Sequence, residues 1–293
     1  MNCILSFDIG GTFVKWGIIN KSKIIIDDKF STPQKSLDEF LKEISKIIRR
    51  CESKYSLDGL AFSLPGTMNT KMGYIVHGGS LRYFDGINMK EVINRKFNMK
   101  CSIQNDARSA AMAELTLGSL QNIDDALVCV LGTGFGGAII NDRKILHGTN
   151  LYAGEFSMIV ENIDNKKQFL GNLLSVPALV KRAGIVLGIN EFSGEELIEL
   201  VKKGDGRVLP LFDEYLERFV NALISLQFIF APEKIAIGGG ISNSDYFVER
   251  VIDKYNDFFS NMPIKVNIKH AQVTKCRFGS EANLLGAYLN YCE

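Results

Sequence analysis

The sequence predicts an α/β protein of two lobes, and three observations carry that prediction. Apolar strand-like runs alternate with amphipathic helical segments along the whole chain. The chain opens on a strand, a glycine-rich turn and a second strand, and the same order recurs from Ala126 in a different spelling. No long linker or low-complexity tract interrupts the alternation. The two lobes divide near Gly118.

The elements follow in order. "FDIGGTFVKWGIIN" reads as strand, turn and strand, with a third strand at Lys23 to Phe30. In "SLDEFLKEISKIIRR", Ser36 and Glu39 have capping-box spacing, and Leu37, Phe40, Leu41, Ile44, Ile47 and Ile48 share one helical face. "GLAFSLPG" is a strand ending at Pro65-Gly66. Residues 67–86 are rich in Gly, Ser and Thr and read as a loop with short hairpin strands. "MKEVINRKF" is a helix, "KCSIQND" a strand, and "ARSAAMAELTLG" a small-residue helix. The second cycle, "ALVCVLGTGFGGAIINDRKIL", gives strand, turn, strand, turn, strand. Helices are expected over Leu173 to Ala183, Gly194 to Lys203, Leu209 to Phe230 and Ser244 to Ser260. Strands are expected at "KIAIGGGIS" and "IKVNIKH", and a last helix at "SEANLLGAYLNY".

The composition bounds the function. In 293 residues, 46% are hydrophobic and 23% charged, the balance of a soluble globular enzyme. The formal charge is +1 and no basic face is visible, so nucleic acid is not an expected partner. No apolar run reaches the length of a membrane span, and no secretory leader pattern is present. The six cysteines are scattered, without C-x-x-C spacing, and are expected as reduced thiols in a cytoplasmic protein. The three histidines are equally dispersed, so spacing alone marks no metal site.

Three glycine turns, "DIGGT" (8–12), "GTGFGG" (132–137) and "GGG" (238–240), each follow an apolar strand. Any one alone reads as a tight turn. Three at strand ends read as a nucleotide site, because glycine lets backbone N–H groups approach phosphate. Neither a Walker A loop nor a dinucleotide fingerprint fits them. A hairpin explains Gly10 and Gly11 but not Asp8, Thr12 and Lys15, which are groups that magnesium and phosphate would use. Asp106, where a strand meets a helix, reads either as an N-cap or as the base that takes a hydroxyl proton. Capping explains one of Asn105 and Asp106, and Asn105 could bond a neighbouring hydroxyl. Glu155, in "YAGEFSM", reads by itself as a surface-turn glutamate.

Taken together, "DIGGT", "QNDARSAA", "LGTGFGGAIINDRKILHGTNLYAGE" and "KIAIGGGIS" resemble the ROK family of bacterial sugar kinases, open reading frames and repressors, in order and spacing along nearly the whole chain. The resemblance implies the two-lobed actin/hexokinase-type, ribonuclease-H-like fold, with ATP and Mg²⁺ in a cleft between lobes and a sugar as acceptor. It implies an N-terminal lobe of residues 1–118, joined by the C-terminal helix 280–293, and a C-terminal lobe of 119–279. By position, Asp8, Gly10, Gly11, Thr12 and Lys15 form the first phosphate loop, with Asp8 holding Mg²⁺ through water. Gly132, Thr133 and Gly134 form the second, and Gly238, Gly239 and Gly240 lie near the adenosine. Asp106 is the expected base, and Gly66, Gly79, Asn105, Asp106 and Glu155 are expected sugar contacts. A homodimer is the family expectation.

One departure from the pattern is informative. Many members follow the glutamate with Gly-His-Met and a zinc-binding cysteine cluster. Here "GEFSMIVENIDNKKQFLGN" has Met158 at the histidine position and no cysteine between Cys129 and Cys276. No zinc is therefore expected. "HGGSLRYFDGINMKE" resembles the zinc-less β-glucoside kinase branch, which implies phosphorylation of the 6-hydroxyl of a glucosyl unit in a β-glucoside such as cellobiose. Glucose and N-acetylmannosamine are the alternative acceptors. A non-catalytic sugar-sensing regulator is the rival of another class. Family repressors carry an N-terminal helix-turn-helix domain, whereas here the first phosphate strand begins near Met1, so the enzyme is expected.

Overall fold

The computed structural model describes residues 2–163, 165–262 and 268–293. They fall into two compact units. One comprises Met1–Thr116, His147–Tyr152 and Glu281–Glu293; the other comprises Leu117–Leu146 and Ala153–Ser280.

The first unit is built on β1 (Asn2–Ile9), β2 (Phe13–Asn20) and β3 (Lys23–Ser31), an antiparallel meander. Helix α1 (Leu37–Glu52) follows, capped by the Ser36 hydroxyl accepting from the Glu39 N–H. Its first turn is acidic and its last basic, which complements the helix dipole. Phe40, Leu41, Ile44 and Ile48 bury its apolar stripe. Next come β4 (Ser56–Leu64), the small strands β5 (Thr67–Asn69), β6 (Tyr74–His77) and β7 (Ile87–Asn88), α2 (Met89–Phe97), β8 (Lys100–Asn105) and α3 (Asp106–Leu117). The main sheet runs β3-β2-β1-β4-β8, with β4 and β8 parallel to β1. Phe7 and Phe62 stack in its core with centroids 5.2 Å apart.

The second unit repeats that order. Strands β9 (Ala126–Leu131), β10 (Phe135–Asn141) and β11 (Lys144–Ile145) make the meander, and β14 (Lys234–Gly238) and β15 (Gln272–Lys275) run parallel to β9. The sheet reads β11-β10-β9-β14-β15, so the recurrence in the sequence is a recurrence of topology. Between β11 and β14 lie the hairpin β12 (Val160–Ile163) and β13 (Lys166–Phe169), then α4 (Leu170–Leu173), α5 (Val176–Leu187), α6 (Gly194–Lys202) and α7 (Leu209–Phe230). Helix α8 (Asp245–Ser260) follows β14, and α9 (Ala282–Cys292) ends the chain within the first unit. Phe212, Phe219, Leu223 and Leu226 of α7 pack the core, with Phe219 stacked on Phe247 of α8. Replacing such a buried Phe by Ala typically costs about 3–5 kcal/mol.

Four expectations are corrected. The helix placed at Leu173 to Ala183 is two helices, α4 and α5, because Ser175 caps a new start with Pro177 in its first turn. The hairpin β12–β13 lies where the sequence predicts no element. Of the strand expected at "IKVNIKH", residues 264–267 lie outside the described residues and 268–270 are not strand; the parallel partner of β14 is Gln272–Lys275. The last helix starts at Ala282, not at the preceding serine. All six cysteines are free thiols, and only Cys292 is exposed. Among the described residues no helix is long and apolar enough to cross a membrane.

Candidate active site

In the first unit, Asp8 lies at the end of β1, paired across the ladder with Lys15. Burial pushes its carboxyl above the usual carboxylate range, and the Asn283 amide, Lys15 and Ser63 pull it back. Asn283 Nδ2 donates to Asp8 Oδ1 at 3.0 Å. Ser63 is aligned opposite Asp8 between β1 and β4, although its hydroxyl is short of a formed hydrogen bond among the described residues. The turn beyond is braced from its back. Gly10 carbonyl accepts from Thr32 Oγ1 at 2.6 Å, Gly11 carbonyl from Gln34 Nε2 at 2.7 Å, and Thr12 carbonyl from the Thr32 N–H at 2.9 Å. The exposed edge of Gly11 and Thr12 keeps its other face open.

Four more expected residues meet at the amino end of α3. Asn105, nearly buried, caps the helix, its Oδ1 accepting from the Arg108 N–H at 3.2 Å. Its Nδ2 donates to the Gly66 carbonyl at 3.1 Å. Asp106 Oδ1 accepts from the next N–H, that of Ala107, at 2.8 Å. The cap is thus Asn105, and the partly exposed carboxylate of Asp106 stands beside it. Gly66 has φ +96°, and a Cβ there would strike the His77 carbonyl and approach the Gly79 N–H to 2.7 Å. Only glycine lets the two turns touch. Gly79 in turn donates to His77 Nδ1 at 2.9 Å, and Asp85 accepts from Gly78 at 2.8 Å and from Arg82 at 2.7 Å.

In the second unit the glycine turns border a cavity of about 610 Å³. Gly132 and Gly240 line it, and an added Cβ on either would meet nothing within 4 Å. The facing wall is Val176, Val180, Phe192 and Ile198, with the first turn of α6 at its rim. Gly132 is pinned by its carbonyl to the Val176 N–H at 3.0 Å, so α5 begins on the turn. Thr133 is exposed beside it. Gly239, at φ +92°, abuts the Leu131 carbonyl where a Cβ has no room, and Gly238 is buried against Cys276. Gly134 packs against Gly171. An apolar slot with open glycine backbone on one side suits a nucleoside whose phosphates leave over Gly132.

Glu155 belongs to the second unit, half-buried at the start of a 3₁₀ turn, Phe156–Met158. Met158 beside it is 60% exposed.

The ROK family model matches residues 4–290. The chain belongs to the ROK family. Among its ROK relatives, the β-glucoside kinase of Listeria monocytogenes serovar 1/2a is 28% identical, over 99% of this chain and 97% of that protein. The N-acetyl-D-glucosamine kinase of Photobacterium profundum is 25% identical, over 95% and 98%. The crystal structure of a ROK family glucokinase from Streptomyces griseus, in complex with glucose and AMPPNP, superposes with a TM-score of 0.79 at 24% identity, covering 97% of each chain. The fold is the mixed α/β, two-lobed actin-like fold of the ROK sugar kinases.

Sequence reasoning missed two parts of this ROK site. Asn283 escaped because its partner Asp8 is at the other end of the chain; a half-buried Asn on the otherwise apolar face of "ANLLGAYL" was the available signal. The cavity wall of Phe192 and Ile198 escaped because apolar lining residues look like core residues. Among the described residues no group of three or more His, Cys, Asp or Glu could hold a metal ion.

Proposed function

We propose that the protein is an ATP-dependent sugar kinase whose acceptor is the 6-hydroxyl of the glucosyl unit of a β-glucoside such as cellobiose. The observation that carries this reading is the amino end of α3. There Asn105 is locked by the helix cap and by Gly66, and beside it stands the partly exposed Asp106 carboxylate, whose Oδ1 accepts the Ala107 N–H. A fixed carboxylate beside a fixed amide can orient a sugar and take a proton from its hydroxyl.

In the proposed reaction, Asp106 accepts the hydroxyl proton as the sugar oxygen bonds to the γ-phosphorus. The bond from that phosphorus to the β,γ-bridging oxygen breaks, and ADP leaves. The nucleoside rests against Val180, Phe192 and Ile198, and the phosphates leave over the open backbone at Gly132 towards Thr133 and Gly134. Thr12 and Lys15 meet the transferred group on the first turn. Asp8 fits magnesium: it is an oxygen donor that burial leaves short of solvation, which a hydrated cation would complete. Magnesium, when bound, offsets the charge on the phosphate oxygens. Asn283 holds the Asp8 carboxylate in one orientation.

The β-glucoside assignment rests on two supports. The relative named β-glucoside kinase matches nearly the whole chain. Next to Glu155, Met158, Ile159, Val160 and Phe169 all expose apolar surface, which a second ring can use and free glucose cannot. The test is a coupled ADP-release assay comparing kcat/KM for cellobiose, methyl β-glucoside, glucose and N-acetylmannosamine. The β-glucosides should lead by about 10-fold or more, within the 1–3 kcal/mol that pocket shape supplies. A tenfold lead for either free monosaccharide removes the β-glucoside assignment and leaves the kinase. No ADP release with any sugar removes the kinase and favours a non-catalytic sensor.

A further inference from the structure

Glu155 stands on a short segment with no long helix or strand of its own, yet an acceptor ligand must be placed to a fraction of an ångström. What holds it is a series of contacts in which glycine removes the side chain. Gly154, at φ +82°, presses its α-carbon face on the backbone of Ala138; a Cβ there would lie 3.1 Å from the Ala138 Cα. Gly137 leaves its side-chain space to the ring of Phe156. Both Gly137 and Ala138 are in β10, the strand that issues from the Gly132–Gly134 turn.

The third contact is Gly171, in α4, and it faces two ways. Its carbonyl oxygen lies 3.1 Å from where a Gly134 Cβ would be. Its own α-carbon faces Ser157, and a Cβ on it would come to 2.9 Å from Ser157 Cβ and 3.1 Å from the Ser157 carbonyl. The Leu170 N–H donates to the Ile159 carbonyl at 2.8 Å, and the Met158 N–H to the Glu155 carbonyl at 3.0 Å, so the segment is closed on both sides of Ser157. From the nucleotide turn to Glu155 the contacts are made by backbone, by the Cβ of Ser157 and by the buried ring of Phe156, so no long exposed side chain is there to absorb a shift.

We infer that Gly171 is a positioning residue: it spaces the Glu155 segment from the Gly134 turn and thereby sets acceptor affinity. This rests on the reading of Glu155 as a sugar ligand. A methyl group at position 171 must push Ser157 away, because its three nearest neighbours would all be Ser157 atoms, at 2.9, 3.1 and 3.2 Å. Misplacing a ligand by about 1 Å can cost as much as about 10²-fold.

The test uses the full chain with ATP and cellobiose, or whichever acceptor leads the sugar panel. Gly171→Ala should raise the acceptor KM about tenfold and leave the ATP KM within about twofold. Ser157→Gly in the same background removes the clashing Cβ and should recover most of the acceptor affinity. It also supplies a folded comparison if the single variant is unstable. Glu155→Gln, measured alongside, should raise the acceptor KM by at least as much. If Glu155→Gln changes nothing, the reading of Glu155 and this inference both fall. If Glu155→Gln acts but Gly171→Ala leaves the acceptor KM unchanged, the inference alone falls. It also falls if Gly171→Ala raises both KM values alike, or if Ser157→Gly restores nothing.

Discussion

The turn between β1 and β2 and the turn between β9 and β10 occupy the same place in two sheets of the same strand order. Each meander closes on an apolar pair, Ile9 with Val14 in one and Leu131 with Phe135 in the other. One step inward the resemblance ends. Asp8 faces Lys15 in the first turn, and Val130 faces Gly136 in the second. The first turn carries a charged pair, an acid half out of water and an amide from α9 that orients it. The second carries bare backbone beside an apolar cavity. One topology, used twice, can therefore serve two purposes. We assign the metal, the transferred phosphoryl group and the acceptor base to the first unit, and the nucleoside to the second.

The strongest way to break that division is at Asp106. Asp106→Asn keeps an oxygen to accept the Ala107 N–H and removes the carboxylate that would take the proton. Its kcat should fall about 10²-fold or more, the usual contribution of a general base. A variant retaining more than about a tenth of the wild-type rate, a change under about 1.4 kcal/mol, would remove Asp106 from the role. On the other side, Gly240→Val should raise the ATP KM about tenfold and leave the acceptor KM alone, since pocket shape is worth about 1–3 kcal/mol. No φ in the left-handed range and no neighbour within 4 Å opposes the new side chain, so the melting temperature should hold. A raised acceptor KM with an unchanged ATP KM would reverse the assignment.

Metal dependence sharpens the same contrast. Chelator-washed protein should regain full activity with magnesium alone and carry no stoichiometric zinc by elemental analysis. Zinc bound one to one, or activity that magnesium fails to restore, would contradict the reading of Asp8 as the metal's carboxylate. The smallest effect is expected at Asn283→Ala, which removes the amide that donates to Asp8 Oδ1. We expect kcat to fall about three- to tenfold, the scale of an ordinary intramolecular hydrogen bond of about 0.5–1.5 kcal/mol, with both KM values unchanged. A change in the acceptor KM there would show that the amide serves more than Asp8.

Much of this comparison was legible in the sequence, for local reasons. The 22-residue α7 declared itself through apolar residues at helical spacing, and α1 through its serine cap and the apolar face that follows it. The glycine turns were visible because each ends an apolar run. The hairpin β12–β13 was not visible. Its outward face mixes Val160 and Phe169 with Asn162 and Lys167, and Glu161, on the other face, is held by the ion pair to Arg218 at 3.0 Å. Without an apolar side of period two there is no strand signature. The choice between Asn105 and Asp106 as cap also lay beyond the sequence, since both residue types fill that role and only the Asn105–Arg108 hydrogen bond decides it. Contacts such as Asn283 with Asp8, and Gly171 with Ser157, depend on how distant segments fold together, and no short-range pattern encodes them.

The most direct test of the division between the two turns is calorimetric binding of magnesium-AMPPNP to Asp106→Asn and Gly240→Val, beside the wild-type protein. The account predicts that Asp106→Asn binds the analogue within about twofold of wild type although it turns over about 10²-fold more slowly. It predicts that Gly240→Val binds the analogue about tenfold more weakly. Wild-type affinity in Gly240→Val together with lost affinity in Asp106→Asn would place the nucleotide on the wrong turn and contradict the account.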